Sequence, residues 1–133
     1  PLPVYREPYE GREEEKKYPL ILLTPKTGFT SQSTFGNIPW MHQINPYHGE
    51  YVEINPGDAA VREIKDGNEV EVYNDRGKIK VKAMLNEAIM PGVVSRPSGF
   101  WEENANQLTT DNVSYYGECA IYHDARVEVR KNV

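Results

Sequence analysis

Only one cysteine, Cys119, occurs in the chain, so no internal disulfide can form and no Cys pair or quartet is present to hold zinc or an iron–sulfur cluster. Long apolar runs are also missing. The longest greasy stretch, Leu20 to Leu23, is far short of the ~20 residues that span a bilayer, and the N-terminus lacks the charged, apolar and small-residue succession of a signal peptide. There is no basic excess: the formal charge is −5, and Lys78, Lys80 and Lys82 alternate near Glu69 and Glu71, which argues against nucleic acid as a partner. No Walker loop, dinucleotide fingerprint or hydrolase elbow surrounds Ser31, Ser33 or Ser98. His42, His48 and His123 have no metal-ligand spacing, and the four-residue interval from Cys119 to His123 is a common accident rather than a nucleophile–base pair. The acidic clusters Glu13-Glu14-Glu15 and Glu102-Glu103 read as solvated charge.

What is present is the material of one globular domain. The 133 residues suit a single core, and ten Gly, ten Pro and nine Tyr favour a turn-rich fold. Residues 1–17, with Pro1, Pro3, Pro8 and Gly11 before a charged run, read as a linker from an upstream domain. A start at Pro1 without an initiator methionine points to a piece of something longer. The folded domain is expected over residues 18–133. Leu20 to Leu23 reads as a strand buried on both faces. Tyr51 to Ile54 alternates like a strand and runs into Asn55-Pro56-Gly57-Asp58, an N-cap, a proline at the first helical position and an acid in the first turn. Asp58 is read as a structural, capping acid, and the helix is expected to reach Ile64 and end near Asp66-Gly67. Glu69 to Val72 and Ile79 to Ala83 flank Asn74-Asp75-Arg76-Gly77 as a hairpin, its glutamates facing its lysines on the exposed side. A turn at Pro91-Gly92 leads into a strand, and Arg126 to Arg130 forms the last. Many short strands with one or two short helices predict a β-barrel of mixed strand direction.

The stretch Thr24 to Gly36 has no apolar periodicity but is dense in neutral donors and carries one cation, Lys26. Such a loop directly after a strand suits a polar, phosphate-bearing ligand, or is merely solvated.

Several segments in fixed order resemble the molybdopterin dinucleotide-binding domain that ends the large subunit of the dimethyl sulfoxide reductase family. After the first strand that family has a stretch like Thr-Pro-Lys-x-x-Phe-x-x-His-Ser-x-x-x-Asn-x-Pro, which stands here as Thr24-Pro25-Lys26 through Phe29, Gln32-Ser33, Asn37 and Pro39. Val52 to Ala60, Ile64 to Val70, Asn74 to Gly77, Pro91 to Val94, Gly99-Phe100-Trp101 and Asn104 to Thr109 follow in the same order. Together they cover about Tyr18 to Val129.

The resemblance implies a mainly β fold, a six-stranded double-psi β-barrel with one or two short helices. It implies a domain that holds bis(molybdopterin guanine dinucleotide), with molybdenum or tungsten, jointly with upstream domains of the same polypeptide. Those domains would supply the metal ligand and do the two-electron chemistry, and an iron–sulfur cluster or iron–sulfur electron-transfer subunit would belong to the parent. Carried over residue by residue, the cofactor contacts are Thr24, Lys26, Gln32, Ser33 and Thr34 in the loop, Asn106, and Tyr115, Tyr116 and Gly117 where the chain returns. No residue here is expected to be catalytic or to bind metal. Two positions depart from many relatives: Thr30 replaces an arginine, and Gln32 replaces a histidine and cannot become cationic. Asn37 is equally a turn residue or a contact. The competing reading is a stand-alone double-psi barrel serving protein interaction or substrate recognition. A small decarboxylase on the same barrel needs a self-cleaving Gly-Ser pair, which the chain does not contain.

Overall fold

The computed structural model describes residues 2–29, 31–36, 38–44 and 51–132, with His42 described only in its backbone. Thr30, Asn37 and His48, singled out above, lie outside the described residues. Six strands, β1 (Leu20–Leu23), β2 (Tyr51–Ile54), β3 (Glu69–Tyr73), β4 (Lys78–Leu85), β5 (Val93–Ser95) and β6 (Arg126–Lys131), close into one barrel in the order β1-β5-β2-β4-β3-β6. β1 with β5 and β2 with β4 are parallel, and the other four pairs are antiparallel. This is the mixed six-stranded double-psi barrel that the resemblance implied. Among the described residues three short α-helices accompany it, α1 (Arg12–Lys17), α2 (Pro39–Ile44) and α3 (Pro56–Val61), rather than one or two.

Period-2 alternation builds the interior. Leu20, Leu22, Val52, Ile54, Val70, Val72, Ile79, Val81, Ala83, Val94, Val127 and Val129 are all buried and belong to one core, each full burial of a Leu, Ile or Val side chain stabilising by about 1.5–3 kcal/mol. β-branched residues dominate because a six-stranded barrel is narrow and its pleated wall accepts them. Ala59 and Ile64, from the β2–β3 connection, and Leu108 and Ala125, from the β5–β6 connection, complete the core.

Four expectations are corrected. β1 is not buried on both faces: Ile21 and Leu23 are 36% and 39% exposed, because a barrel strand has one inner and one outer face. α3 stops at Val61, with Arg62 as its C-cap and Glu63 at φ 55°, since the chain must turn back for Ile64 to enter the core. Glu71 and Lys80 are register partners, yet the Glu71 carboxylate is buried and bonds Arg130 and, at 3.5 Å, Lys78. Burial pushes the Glu71 carboxyl up, but hydrogen bonding and charge from Arg130, joined by Lys78, outweigh it and the group titrates below its ordinary value. Asp58 does not cap its own helix. Asn55 does so by accepting from Gly57 N–H at 2.8 Å, while Asp58 accepts from Gly92 N–H at 2.7 Å and ties α3 to the turn that launches β5.

The segment read as a linker also lies against the barrel. Glu10 is buried, accepts from Arg126 N–H at 2.6 Å and pairs with Arg76 at 2.6 Å. α1 buries none of its residues, which explains why apolar periodicity gave no sign of it. Lys17 and Tyr18 donate to Asp75, and these hydrogen bonds, Lys17's first, hold the Asp75 carboxyl below its ordinary range.

Candidate functional site

Strand polarity determines where the loops emerge. With β1 and β5 parallel, β2 antiparallel to β5, and the remaining pairs as given above, the C-terminal ends of β1, β3 and β5 meet the N-terminal ends of β2, β4 and β6 at one end of the barrel. The connections 24–50, 74–77 and 96–125 therefore all leave from that end. Every candidate contact, Thr24 to Thr34 on the first connection and Asn106 and Tyr115 to Gly117 on the third, belongs to it. Residues far apart in sequence thus share one end of the molecule. Backbone at the mouth of a barrel is free of the ladder and available to a ligand.

The loop after β1 is held by the segment after β5. Arg96 N–H donates to Leu23 O at 2.9 Å, and Ser98 N–H to Pro25 O at 2.9 Å, extending the parallel pairing past both strand ends. Further along, Gly99, at φ 92°, comes so close to Gln32 that a Cβ on it would lie 2.4 Å from the Gln32 carbonyl oxygen. Only glycine permits that approach. The loop itself is a series of tight turns, with Thr34 N–H on Ser31 O at 2.9 Å and Ile38 N–H on Phe35 O at 3.1 Å. Gln32 and Phe35 sit at φ 57° and 70°, left-handed conformations uncommon for residues other than glycine and often found at functional sites.

Thr24 is buried at the base of the loop, with 8% exposure, whereas Lys26, Gln32, Ser33 and Thr34 are exposed. Lys26 has no carboxylate partner among the described residues. An ammonium on the same loop as neutral hydroxyl and amide groups fits a ligand that carries phosphate and hydrogen-bonding heterocycle edges. The residues present therefore fit a pterin dinucleotide.

Asn106 lies in a 3-10 turn, Ala105–Gln107, capped by Asn104, whose side chain accepts from Asn106 N–H at 3.0 Å. The Asn106 carbonyl accepts from the Thr109 hydroxyl at 3.4 Å, so both of its backbone polar groups are occupied, and its amide side chain is exposed. Tyr115 and Tyr116 are 81% and 84% exposed and pack edge to face at 4.9 Å. With Gly117 they form a turn closed by Ser114 N–H on Cys119 O at 2.9 Å. The contacts fixing that turn are its own. The structure thus joins residues 24–34 to 96–99 through direct bonds, and puts Asn106 and the tyrosine turn at the same end through topology alone.

Sequence reasoning missed Arg96. It is fully buried, donates to Glu103 O at 3.0 Å and to Tyr51 O at 3.3 Å, and lies over the Phe100 ring at 4.5 Å. It joins the end of β5 to the start of β2 and to the approach to Asn106. The one signal in the sequence was a lone arginine between an apolar strand and Pro97.

No group of three or more His, Cys, Asp or Glu able to hold a metal ion occurs among the described residues, and no helix among them is long and apolar enough to cross a membrane.

The family model "Molydopterin dinucleotide binding domain" matches residues 20–126. The chain is 32% identical over 147 residues to "Dimethyl sulfoxide reductase DmsA" of Escherichia coli, covering 98% of this chain and 17% of that protein. It is 35% identical over 103 residues to the protein of the same name from Haemophilus influenzae, covering 76% of this chain and 12% of that one. Among solved structures, acetylene hydratase from Pelobacter acetylenicus superposes with a TM-score of 0.85 at 19% identity, over 98% of this chain and 21% of that one, a likeness of fold. The chain belongs to the molybdopterin dinucleotide-binding domain family of dimethyl sulfoxide reductase-type molybdoenzymes. It spans less than a fifth of the length of the curated relatives named here.

Proposed function

We propose that this chain is the cofactor-gripping domain of a molybdenum or tungsten oxidoreductase, holding bis(molybdopterin guanine dinucleotide) at the barrel end where connections 24–50 and 96–125 emerge. The observation that supports it most is the convergence of those connections, one bearing Lys26, without a carboxylate partner among the described residues, amid neutral donors, the other an Asn106 whose backbone is fully engaged. Lys26 offers the positive charge for phosphate, and Gln32, Ser33 and Thr34 offer donors and acceptors for the polar edges. Asn106 bonds the pterin or its linker, Thr24 forms the base of the loop, and Tyr115, Tyr116 and Gly117 border the site. The bound cofactor supplies two-electron redox chemistry. This chain's residues orient it and tune its surroundings without reacting.

In this reading residues 18–133 form the domain and residues 1–17 lead from an upstream domain of the same polypeptide. The direct metal ligand lies upstream, as does any iron–sulfur cluster within the polypeptide, and electrons pass through an iron–sulfur subunit. Family membership favours this reading over a stand-alone interaction barrel.

Hydrogen exchange on the protein with and without its cofactor tests the site. Amides of residues 24–36 and 104–109 are expected to gain protection on loading, while the β2–β3 connection at the opposite end keeps its exchange rates. Protection at the opposite end alone would overturn the assignment.

A further inference from the structure

The Asn106 turn is not self-supporting. A 3-10 turn of three residues has little stability of its own; Asn104 and Arg96 hold the start of this one, and what fixes its end comes from the β3–β4 hairpin. Arg76 donates twice to the Leu108 carbonyl, from Nε at 2.9 Å and Nη2 at 2.7 Å. Asn74 Nδ2 donates to the same oxygen at 2.8 Å. Three donors on one carbonyl, with the Leu108 side chain fully buried in the core, pin the residue that ends the turn from two sides. Gly77 lets the hairpin come close enough for this: a Cβ there would stand 2.8 Å from Gln107 O.

Arg76 is itself held. Its remaining terminal nitrogen, Nη1, stands 2.6 Å from Glu10 Oε1, an ion pair of close opposite charges without hydrogen-bond geometry, and the Glu10 side chain is only 10% exposed. The other Glu10 oxygen accepts from Arg126 N–H, and the Glu10 carbonyl accepts from Arg126 Nε at 2.9 Å. A planar guanidinium can give two donors to one carbonyl and still hold its charge against a carboxylate, which a lysine ammonium cannot do with fixed geometry.

We propose that Arg76, anchored by Glu10, is the positioning residue for Asn106, so that the segment before the first strand governs how firmly the cofactor is held without touching it. This rests on the reading of Asn106 as a cofactor contact. Arg76 acts through Leu108 O on a turn whose register decides where the Asn106 amide stands, and groups that orient a direct contact matter nearly as much as the contact itself.

The test uses the full-length, cofactor-loaded protein and follows the loss of guanine nucleotide during dialysis, read as GMP released by acid, with thermal unfolding of the cofactor-free protein as the structural control. Arg76→Lys keeps a cation for Glu10 but loses the fork. It and Asn106→Ala are each expected to speed nucleotide loss about tenfold. In the double variant the loss is expected within about twofold of the faster single variant, because both changes remove one unit. Glu10→Gln is expected to speed loss in the same non-additive way, and it decides the matter should Arg76→Lys fail to fold. Faster loss in Asn106→Ala with none in Arg76→Lys or Glu10→Gln would overturn the clamp and leave the Asn106 reading standing. Equal acceleration by Arg76→Lys with and without Asn106 would also overturn it. No acceleration in Asn106→Ala would remove the cofactor reading of Asn106 and the clamp with it.

Discussion

Replacing Gly77 by alanine perturbs the closest backbone approach between the β3–β4 turn and the turn after β5. The added Cβ would sit 2.8 Å from Gln107 O, 3.5 Å from Gln107 Cβ and 3.6 Å from Gln107 C. Because the nearest atom is backbone, no side-chain rotation relieves the contact, and the two turns must separate. Overpacking of this kind costs about 1–3 kcal/mol, and separation also weakens the three hydrogen bonds that Asn74 and Arg76 donate to Leu108 O, each contributing roughly 0.5–1.5 kcal/mol. A total of about 2–4 kcal/mol follows, since part of the strain is relieved by lengthening those bonds. At roughly 4 °C per kcal/mol for a domain of this size, the thermal midpoint is expected to fall by ~8–16 °C. Gly28 is the matched control: nothing lies within 4 Å of its added Cβ, so Gly28→Ala is expected within about 0.5 kcal/mol of the parent. Thermal and urea unfolding, followed by circular dichroism, measure both. Equal stabilities for the two variants would refute the inference that the turns are locked together.

Asp58→Ala removes the acceptor of Gly92 N–H and is expected to cost about 1–3 kcal/mol in urea unfolding. A change under 0.5 kcal/mol would show that the turn before β5 does not depend on it. Glu71 and Asp75 both titrate below their ordinary values of 4.5 and 3.8, so the stability they contribute is present above those values and is lost as pH falls through the lowered ones. Stability is therefore expected to decline below about pH 4.5, and Glu71→Gln to flatten that decline while lowering stability at pH 7. An unchanged acid limb would contradict the buried pairing with Arg130. Gly99→Ala is expected to displace residues 31–34, seen as faster proteolysis of that loop with the barrel intact, whereas an unaltered cleavage rate would mean that Gly99 does not seat it.

The parts of the fold legible in the sequence are those where local chemistry and tertiary demand agree. Asn55-Pro56 starts a helix on its own terms, and Asn74 to Gly77 turns because the Asn74 side chain accepts from Arg76 N–H. β6 reads correctly because its valines alternate inward. Glu71 did not, since alternation places it on the outer face but says nothing of Arg130 lying across it. The run Leu20 to Leu23 misled for a related reason: four apolar residues cannot reveal that Ile21 and Leu23 face outward. α1 was hidden because a charged helix with no buried residue leaves no periodic trace. Donor density in residues 24–36 was visible, but their shared barrel end with Asn106 depends on strand polarity, which only the closed pairing supplies. Arg76 read as turn punctuation because its partners, Glu10 and Leu108, are 66 and 32 positions away.

Whether this end of the barrel grips the cofactor is read from the guanine nucleotide content of the full-length protein bearing Lys26→Ala, Ser33→Ala and Asn106→Ala together. All three side chains are exposed and none closes the barrel, so folding is expected to survive. The folded triple variant is expected to lose most of its guanine dinucleotide relative to the parent. Parental occupancy in that variant would contradict the claim that this end of the barrel grips the cofactor.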